Sequence, residues 1–219
     1  MSDSKVVRRQ RATSRAGLQL ALCLAVVSPA LDAQSRQAAD RYDDTFRKYT
    51  KRQFGPGFDW RIFKAQGMAE SNLDSAARSH VGARGVMQLM PDTFREIASK
   101  NPELERIDDP EMNIAAGIAY DRTLWVRWER DSVDVDRTRF VFASYNAGRG
   151  TLLNAQKSAR AAALDPRLWP SIEVVAPKVP RWRHTETMGY VRRIALFTSQ
   201  LDDRGRVMVN GVSSRGLKR

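Results

Sequence analysis

The sequence predicts a mainly helical fold with a single domain over residues 54–201. Residues typical of helix starts and stops punctuate the chain, and between them apolar side chains recur on one side of each helical stretch. A chain of 219 residues can hold one such domain with additional segments at its ends, and 42% hydrophobic residues are enough for a buried core. No repeat of about 20–50 residues interrupts this pattern.

A few residues set the predicted helix boundaries. Asp59 is a good N-cap after the turn at 55–57, Pro91 occupies the first helical position that proline favours, and Asp109-Pro110 starts another helix. The four prolines between residues 165 and 183 instead predict an ordered but irregular loop. The predicted helices cover residues 59–73, 91–100, 109–128, 137–145, 151–163 and 185–201.

Residues 1–33 differ from the rest of the chain. A basic start precedes an apolar run at 16–27, and the small residues Ala30 and Ala33 follow. This order is typical of a secretory signal peptide, and a run of about 12 residues is short for a membrane span, which needs roughly 20. We therefore predict export to the periplasm or cell envelope, with a retained N-terminal anchor as the alternative. Cleavage after Ala33 also removes Cys23, the only cysteine, and with it any thiol chemistry.

Two further segments flank the domain. Residues 34–53 are predicted to form a polar lead and residues 202–219 a flexible basic tail. The net charge is +12, and removal of residues 1–33 takes away five basic and two acidic residues, a net +3, which leaves +9. A basic protein favours anionic partners such as nucleic acid, acidic lipids or anionic polysaccharide. Charge alone does not choose among them, although an export signal argues against nucleic acid.

Glu70 is the candidate catalytic residue. On a helical wheel it lies in the middle of the face that should be buried, whereas Arg61 and Lys64 lie outside that face. A carboxyl group in apolar surroundings has a raised pKa, stays protonated near neutral pH and can donate a proton to a glycosidic oxygen. The alternative is a structural glutamate that caps a loop or pairs with a buried arginine. The other residues of this face are Trp60, Ile62, Phe63, Gln66, Gly67 and Leu73.

Five short motifs occur in order along the chain. They are Ala-Glu-Ser-Asn-Leu at 69–73, a glycine-rich segment at 79–93, Asp-Pro with Asn113 and Gly117 at 109–117, Tyr-Asn-Ala-Gly at 145–148, and Glu-Thr with Tyr-Val at 186–191. Together they resemble the motifs of the soluble lytic transglycosylase family, relatives of goose-type lysozyme. Ser75, Val86 and Ser144 depart from the family pattern without removing a polar group that the chemistry uses.

The resemblance implies an α+β lysozyme-like superfold, still mainly α, with a deep glycan-binding groove. It implies an enzyme without a cofactor that cleaves the β-1,4 bond between N-acetylmuramic acid and N-acetylglucosamine in peptidoglycan and forms 1,6-anhydromuramic ends. We expect a monomer that binds glycan strands, with weak electrostatic contact to the wall or membrane surface. A hydrolytic lysozyme on the same fold and a non-catalytic peptidoglycan-binding protein of a secretion apparatus are the alternatives.

The resemblance also assigns roles to residues of the motifs. Glu70 is expected to protonate the glycosidic oxygen and then to take a proton from the attacking muramic 6-hydroxyl, so that one carboxyl serves both steps. Tyr145 and Tyr190 are expected to hold this carboxyl by hydrogen bonds. The residues assigned to substrate binding are Ser79, Gln88, Met90, Tyr145, Asn146 and Tyr190.

Signals for other sites are weak. Asp74 is four residues from Glu70 but falls where that helix should end, so we do not expect a second catalytic carboxylate there. His80 and His184 are the only histidines, which leaves no plausible zinc cluster, and no phosphate-binding glycine loop is present. The tryptophans that could stack on sugar, or alternatively pack in the core, are Trp125, Trp128, Trp169 and Trp182.

Overall fold

The computed structural model of the protein describes residues 40–208, which fold into eight α-helices. In chain order these are α1 (Asp43–Phe54), α2 (Arg61–Ser71), α3 (Pro91–Ala98), α4 (Pro110–Arg130), α5 (Arg137–Ala147), α6 (Arg149–Ala161), α7 (Trp169–Val175) and α8 (His184–Ser199), with a 3-10 helix at Ala176–Lys178. Extended pairing within the same range is limited to isolated antiparallel bridges. The predicted mainly helical class is confirmed.

The central helix of the domain is α4. Its N-terminus is capped because the Asp109 carboxylate accepts a hydrogen bond from the backbone N–H of Met112 at 3.0 Å, and Pro110 follows in the first turn. Its apolar face, which includes Ile114 and Ile118, is fully buried, and α1, α3 and α5 pack against this helix. The predicted helix start at Asp109-Pro110 is therefore confirmed.

The helix that carries Glu70, α2, ends just beyond this residue. Asn72 and Leu73 adopt positive φ angles of 54° and 63°, and the N–H of Leu73 donates back to the Gly67 carbonyl at 3.3 Å. A Cβ atom on Gly67 would lie 3.1 Å from both Leu73 Cδ2 and Phe46 Cζ. Glycine thus lets α1 and the chain after α2 approach closely, while another side of α2 packs extensively against α8.

The predicted polar lead at 34–53 is wrong for its second half, which belongs to α1. Tyr42, Phe46 and Tyr49 recur at helical spacing and are buried in the core. Because the surrounding residues are polar and charged, the mean composition of this segment concealed its apolar stripe. The domain therefore begins before residue 54.

Residues 202–208 are also part of the domain rather than of a flexible tail. The Gly205 carbonyl accepts a hydrogen bond from Lys64 Nζ at 2.7 Å, and the same ammonium group pairs with Asp43 at 2.6 Å. Lys64 is fully buried, although the helical wheel placed it outside the buried face of α2. These two oxygen partners lie far from Lys64 in sequence. Their contacts replace the hydration that the ammonium group loses when it is buried.

The predicted signal peptide at 1–33 and the remainder of the tail, 209–219, lie outside the residues that the structure describes. Between residues 40 and 208, no helix combines the length and the apolar composition that crossing a membrane requires. The assignments of the two terminal segments remain predictions.

The proline-rich stretch 165–183 is partly helical, so the expectation of an irregular loop throughout is wrong. Pro170 lies in the first turn of α7, and Pro177 lies in the 3-10 helix that follows. Proline is tolerated in a first turn because the N–H group that it lacks has no intrahelical acceptor there. Trp169, the first residue of α7, is buried.

Candidate active site

Glu70 and Tyr190 join the last turn of α2 to the middle of α8. The Tyr190 hydroxyl donates a hydrogen bond to Glu70 Oε1, and the two oxygens are 2.6 Å apart. Tyr190 is almost fully buried, whereas Glu70 remains partly exposed. The hydrogen bond expected between these two side chains is present, and it leaves Glu70 accessible from solvent.

Burial raises the pKa of Glu70 from 4.5 to about 7. The hydrogen bond from Tyr190 and the positive charge of Arg193 lower this pKa, but they do not offset the effect of burial. A carboxyl group with a pKa near 7 is protonated in a large fraction of molecules at neutral pH, and it can therefore act as a proton donor. The direction of the shift agrees with the position of Glu70 on the buried face of α2.

Tyr145 does not form the expected hydrogen bond with Glu70. Its hydroxyl donates instead to the Met87 carbonyl at 2.8 Å, and its ring centroid lies 5.3 Å from that of Tyr120. Burial, and after it the negative charge of Glu70, raise the pKa of Tyr145 well above its ordinary value. Tyr145 is therefore a neutral side chain. Its hydroxyl fixes the loop at Met87 and does not bond to Glu70.

The glycine-rich segment 79–90 is fixed by one side chain of α4. Asn113 Oδ1 accepts a hydrogen bond from the Met87 N–H at 2.8 Å. Asn113 Nδ2 donates to the carbonyls of Arg84 and Ile107, each at 3.0 Å. A single amide thus satisfies three backbone groups, and it holds the loop against the N-terminal part of α4.

Two short contacts bring this loop to the end of α2. Gly85 has a φ angle of 75°, and a Cβ atom on it would lie only 2.6 Å from Asn113 Nδ2, so the position requires glycine. Ser71, which follows Glu70, donates from its hydroxyl to the Val86 carbonyl at 2.8 Å. The loop therefore has a fixed position beside Glu70.

Three predicted substrate-binding residues lie in this loop. Ser79 Oγ accepts a hydrogen bond from the Ala83 N–H at 2.9 Å. Gln88 Nε2 donates to the Ala77 carbonyl at 3.2 Å and to a second carbonyl of the loop at 3.0 Å. Met90 is 41% exposed. The hydrogen bonds of Ser79 and Gln88 are thus made to nearby backbone groups. Contact of these two residues and of Met90 with a substrate remains a prediction.

Asn146 lies at a small cavity near the N-terminus of α8. Its Oδ1 atom accepts a hydrogen bond from the Thr187 hydroxyl at 2.8 Å, and the same hydroxyl accepts one from Trp182 Nε1 at 3.0 Å. The adjacent cavity has a volume of about 220 Å³, and Arg181 and Arg183 also line it. A cavity of this size is smaller than the usual ligand pocket. The predicted deep groove for a glycan strand therefore remains a prediction.

The tryptophans pack inside the domain. Trp128, Trp169 and Trp182 are buried, which confirms the core-packing alternative for these three. Trp125 is partly buried, and its ring stands edge-on to the rings of Phe54 and Phe58 at 5.7 and 5.2 Å. The three buried tryptophans therefore present no exposed ring face on which a sugar could stack.

Two other acidic side chains, Asp74 and Asp121, bear on the expectation of a single catalytic carboxyl. Asp74 is exposed, and its Oδ1 atom accepts a hydrogen bond from the Ala76 N–H at 2.8 Å in the turn after α2. Asp121 of α4 is fully buried, and burial and, after it, the negative charge of Glu70 raise its pKa well above the ordinary value although the hydrogen bond from Gln66 lowers it; the sequence did not predict this residue, although it lies seven residues after Ile114 on the apolar face. In the described part of the chain, no three His, Cys, Asp or Glu side chains are grouped so that they could hold a metal ion.

The structure thus shows a mainly helical domain with a partly buried acidic side chain, Glu70. Residues 47–166, more than half of the chain, match the family described as the Transglycosylase SLT domain. The chain belongs to this family.

Two solved structures share the fold. The 70 kDa soluble lytic transglycosylase SLT70 of Escherichia coli matches 78% of this chain and 26% of its own chain with a TM-score of 0.54 and 24% identity. The lytic transglycosylase Slt of Pseudomonas aeruginosa, solved as an inactive mutant, matches 82% of this chain and 28% of its own with a TM-score of 0.55 and 24% identity. At this identity the likeness concerns the fold alone.

Two relatives in sequence are named membrane-bound lytic murein transglycosylase F. The protein of Desulfosudis oleivorans is 38% identical over 140 residues, which are 62% of this chain and 29% of the relative. That of Stutzerimonas stutzeri is 33% identical over 159 residues, which are 72% of this chain and 31% of the relative. The chain thus spans less than a third of the length of these relatives.

Proposed function

We propose that this domain is a peptidoglycan lytic transglycosylase that uses Glu70 as its only catalytic carboxyl. One observation carries the proposal: a partly exposed carboxyl with a pKa of about 7 is held by the Tyr190 hydroxyl at 2.6 Å. Membership of the SLT family and the names of the relatives support murein as the substrate. Residues 1–33 support export to the compartment in which murein lies.

In the proposed reaction, the Glu70 proton moves to the oxygen of the β-1,4 bond between N-acetylmuramic acid and N-acetylglucosamine. The C1–O bond breaks, its electron pair stays on the leaving oxygen, and the neighbouring N-acetyl group stabilises the positive charge at C1. The muramic 6-hydroxyl then attacks C1 and gives its proton to the Glu70 carboxylate. No water is consumed, and the muramic residue ends as a 1,6-anhydro sugar.

The surroundings of the other acidic residues support a single-carboxyl mechanism. Glycosidases that use water or a covalent intermediate need two carboxyl groups on either side of the bond. Asp74 is exposed and bonded within its own turn, and Asp121 is fully buried. Neither is available to activate a water molecule next to a sugar bound at Glu70, whereas the substrate carries its own 6-hydroxyl nucleophile.

Polar residues of the sequence motifs are proposed to bind the saccharide. Neutral amide and hydroxyl groups both donate to and accept from sugar hydroxyls and N-acetyl groups. Asn146 is exposed, and Ser79 and Gln88 are each half-buried at the loop surface. We assign substrate contact to these three residues and to Met90, while Tyr145 acts by fixing the loop.

The decisive experiment compares Glu70→Gln with Glu173→Gln on purified peptidoglycan, with products identified by mass spectrometry. Glu173 is an exposed residue of α7 and provides the matched control. The control should release anhydromuropeptides at the parental rate, and Glu70→Gln should fold but release almost none, because an amide has no acidic proton to donate. In the parent, kcat should fall as pH rises above about 7, as Glu70 loses its proton.

Each of the other possible results would favour a different function or exclude Glu70 as the acid. Products with reducing ends would indicate a hydrolytic lysozyme on the same fold. Binding to peptidoglycan without any cleavage by the parent would indicate a non-catalytic binding protein. Near-parental turnover by a folded Glu70→Gln variant would exclude Glu70 as the acid.

A further inference from the structure

A second acidic side chain, Asp121, is buried next to the helix that carries Glu70. Its Oδ1 atom accepts a hydrogen bond from Gln66 Nε2 at 3.3 Å, and both side chains have no exposed surface. Gln66 lies one helical turn before Glu70 on α2, whereas Asp121 lies on α4. The contact therefore joins the central helix to the helix that carries the proposed acid.

The same two side chains each have one oxygen left over. Asp121 Oδ2 and Gln66 Oε1 are both buried, and neither has a hydrogen-bond partner. Two acceptors cannot bond to each other, so an ionised Asp121 leaves this pair of oxygens unsatisfied. A proton on Oδ2 would make the carboxyl a donor, and the unsatisfied acceptor on the side chain that it already contacts is Gln66 Oε1.

The charges around Asp121 also favour the neutral form. The group that acts on it from α2 is another carboxyl, Glu70, and the ionisable groups near it on α4, α5 and α8 are phenols. Among residues 40–208, no lysine or arginine forms an ion pair with Asp121. An isolated buried carboxylate is costly, and burial accordingly raises the pKa of Asp121 well above its ordinary value. The phenols are Tyr120, Tyr145 and Tyr190.

We propose that Asp121 is a protonated carboxylic acid that exchanges two hydrogen bonds with Gln66 and acts as a positioning residue for Glu70. This pair of hydrogen bonds fixes the face of α2 that Gln66 shares with Glu70, one helical turn later, and thereby the direction in which the Glu70 carboxyl points. It also keeps a second negative charge away from that carboxyl. The positioning part rests on the proposed function, whereas the protonation of Asp121 does not.

The protonation is tested without activity, in a Glu70→Gln background so that Asp121 is the buried acid under observation. Infrared spectra at pH 7 should contain the carbonyl band of a protonated carboxyl that is missing when Asp121→Asn is added. If Asp121 is a carboxylate, the two spectra will not differ in this band, and the proposal is overturned.

Unfolding gives a second measure on the same two proteins. Above its ordinary pKa of 3.8, Asp121 releases its proton when the chain unfolds. The unfolding constant of the protein with Asp121 should therefore rise relative to that of the Asn variant, approaching tenfold per pH unit between pH 5 and 7. The Asn variant keeps both hydrogen bonds, because its amide donates to Gln66 Oε1. A ratio that is independent of pH would contradict a protonated Asp121.

Positioning is tested in the protein that retains Glu70. Asp121→Asn should keep kcat within about twofold and leave the pH profile unchanged, whereas Asp121→Leu should lower kcat on the order of tenfold or more with little change in KM. Parental kcat in a folded Leu variant would overturn the positioning role. Absence of transglycosylase activity in the parent would instead contradict the proposed function, and the infrared and unfolding results would stand.

Discussion

The two ends of α2 bury ionisable groups in opposite ways. Near the N-terminus, Lys64 is fully buried, and its ammonium contacts the Asp43 carboxylate at 2.6 Å and the Gly205 carbonyl at 2.7 Å. Near the C-terminus, Glu70 accepts its hydrogen bond from a neutral phenol, that of Tyr190. The first end is an ion pair, and the second is an acid without a bonded cation.

The protonation of the buried carboxyl groups follows this difference. Burial raises the pKa of Asp43 to about 6 although Lys64 lowers it, and burial raises that of Glu70 to about 7 although Tyr190 and Arg193 lower it. For Asp121, where an amide is the only group that favours the ionised form, the pKa lies well above the ordinary value. Burial sets the direction of the shift in all three, and the partners determine how far it goes.

The largest expected effect comes from breaking the ion pair. Lys64→Met should lower the free energy of unfolding by about 3–5 kcal/mol, because it leaves Asp43 buried without its cation. Urea unfolding measures this change. Lys48→Met removes an exposed ion pair with Glu111 and should leave the midpoint almost unchanged. Equal losses in the two variants would mean that burial of the Lys64 pair does not matter.

The next largest effect is the dependence of protein stability on pH that Glu70 causes, near the C-terminus of α2. The pKa of Glu70 is higher in the folded chain than in the unfolded one, so its contribution to stability is present below pH 4.5 and is lost as pH rises toward about 7. Glu70→Gln removes this loss and should be more stable than the parent by about 1–3 kcal/mol at pH 8, but not at pH 4. Urea unfolding at both pH values measures the difference, and a gain that is the same at both would refute it.

The two tyrosines give a smaller and more specific test. Tyr190→Phe removes a donor that favours ionised Glu70, so the pH above which kcat falls should move upward by up to about one unit. Tyr145→Phe removes a bond to the Met87 carbonyl and should cost about 1 kcal/mol of stability without that shift. Profiles of kcat against pH separate the two roles. The distinction fails if both variants move the profile equally.

The smallest expected effect concerns the basic charge of residues 209–219. Their deletion removes three basic side chains and should weaken adsorption to insoluble peptidoglycan at low salt, but barely at high salt, because salt screens the attraction between charges over about 8 Å at physiological ionic strength. Cleavage of a short soluble glycan should not change. If pelleting with the wall is unaffected at low salt, these charges do not contribute. A cut at residue 202 is not equivalent, since it also removes the Gly205 carbonyl that holds Lys64.

The sequence predicted the elements whose boundaries are local. Asp109-Pro110 and Pro91 mark true helix starts because capping and the missing proline N–H act within one turn. The predictions were wrong in two segments that were interpreted from their overall composition and not from the spacing of their apolar residues. The polar residues of α1 concealed a stripe of aromatic side chains at its N-cap and along the helix, and the prolines of 165–183 indicated a loop although Pro170 lies in the first turn of α7.

The candidate site also has features that the sequence predicted and features that it did not. Glu70 and the Tyr190 hydrogen bond were predicted, the first from its place on α2 and both from the motifs. The partner of Tyr145, the burial of Lys64 and the contact of Asp121 with Gln66 were not predicted. Each depends on which residue of a distant element faces the side chain, and one helical wheel contains no information about that.

The three bonds of Asn113 have a consequence for the order of folding. Its partners Met87 and Arg84 are 26 and 29 residues earlier in the chain, and its third partner, Ile107, precedes α4. Closing a loop of that length costs entropy that local hydrogen bonds in the segment cannot repay. We therefore expect the loop to acquire its conformation together with the N-terminus of α4 rather than independently of it.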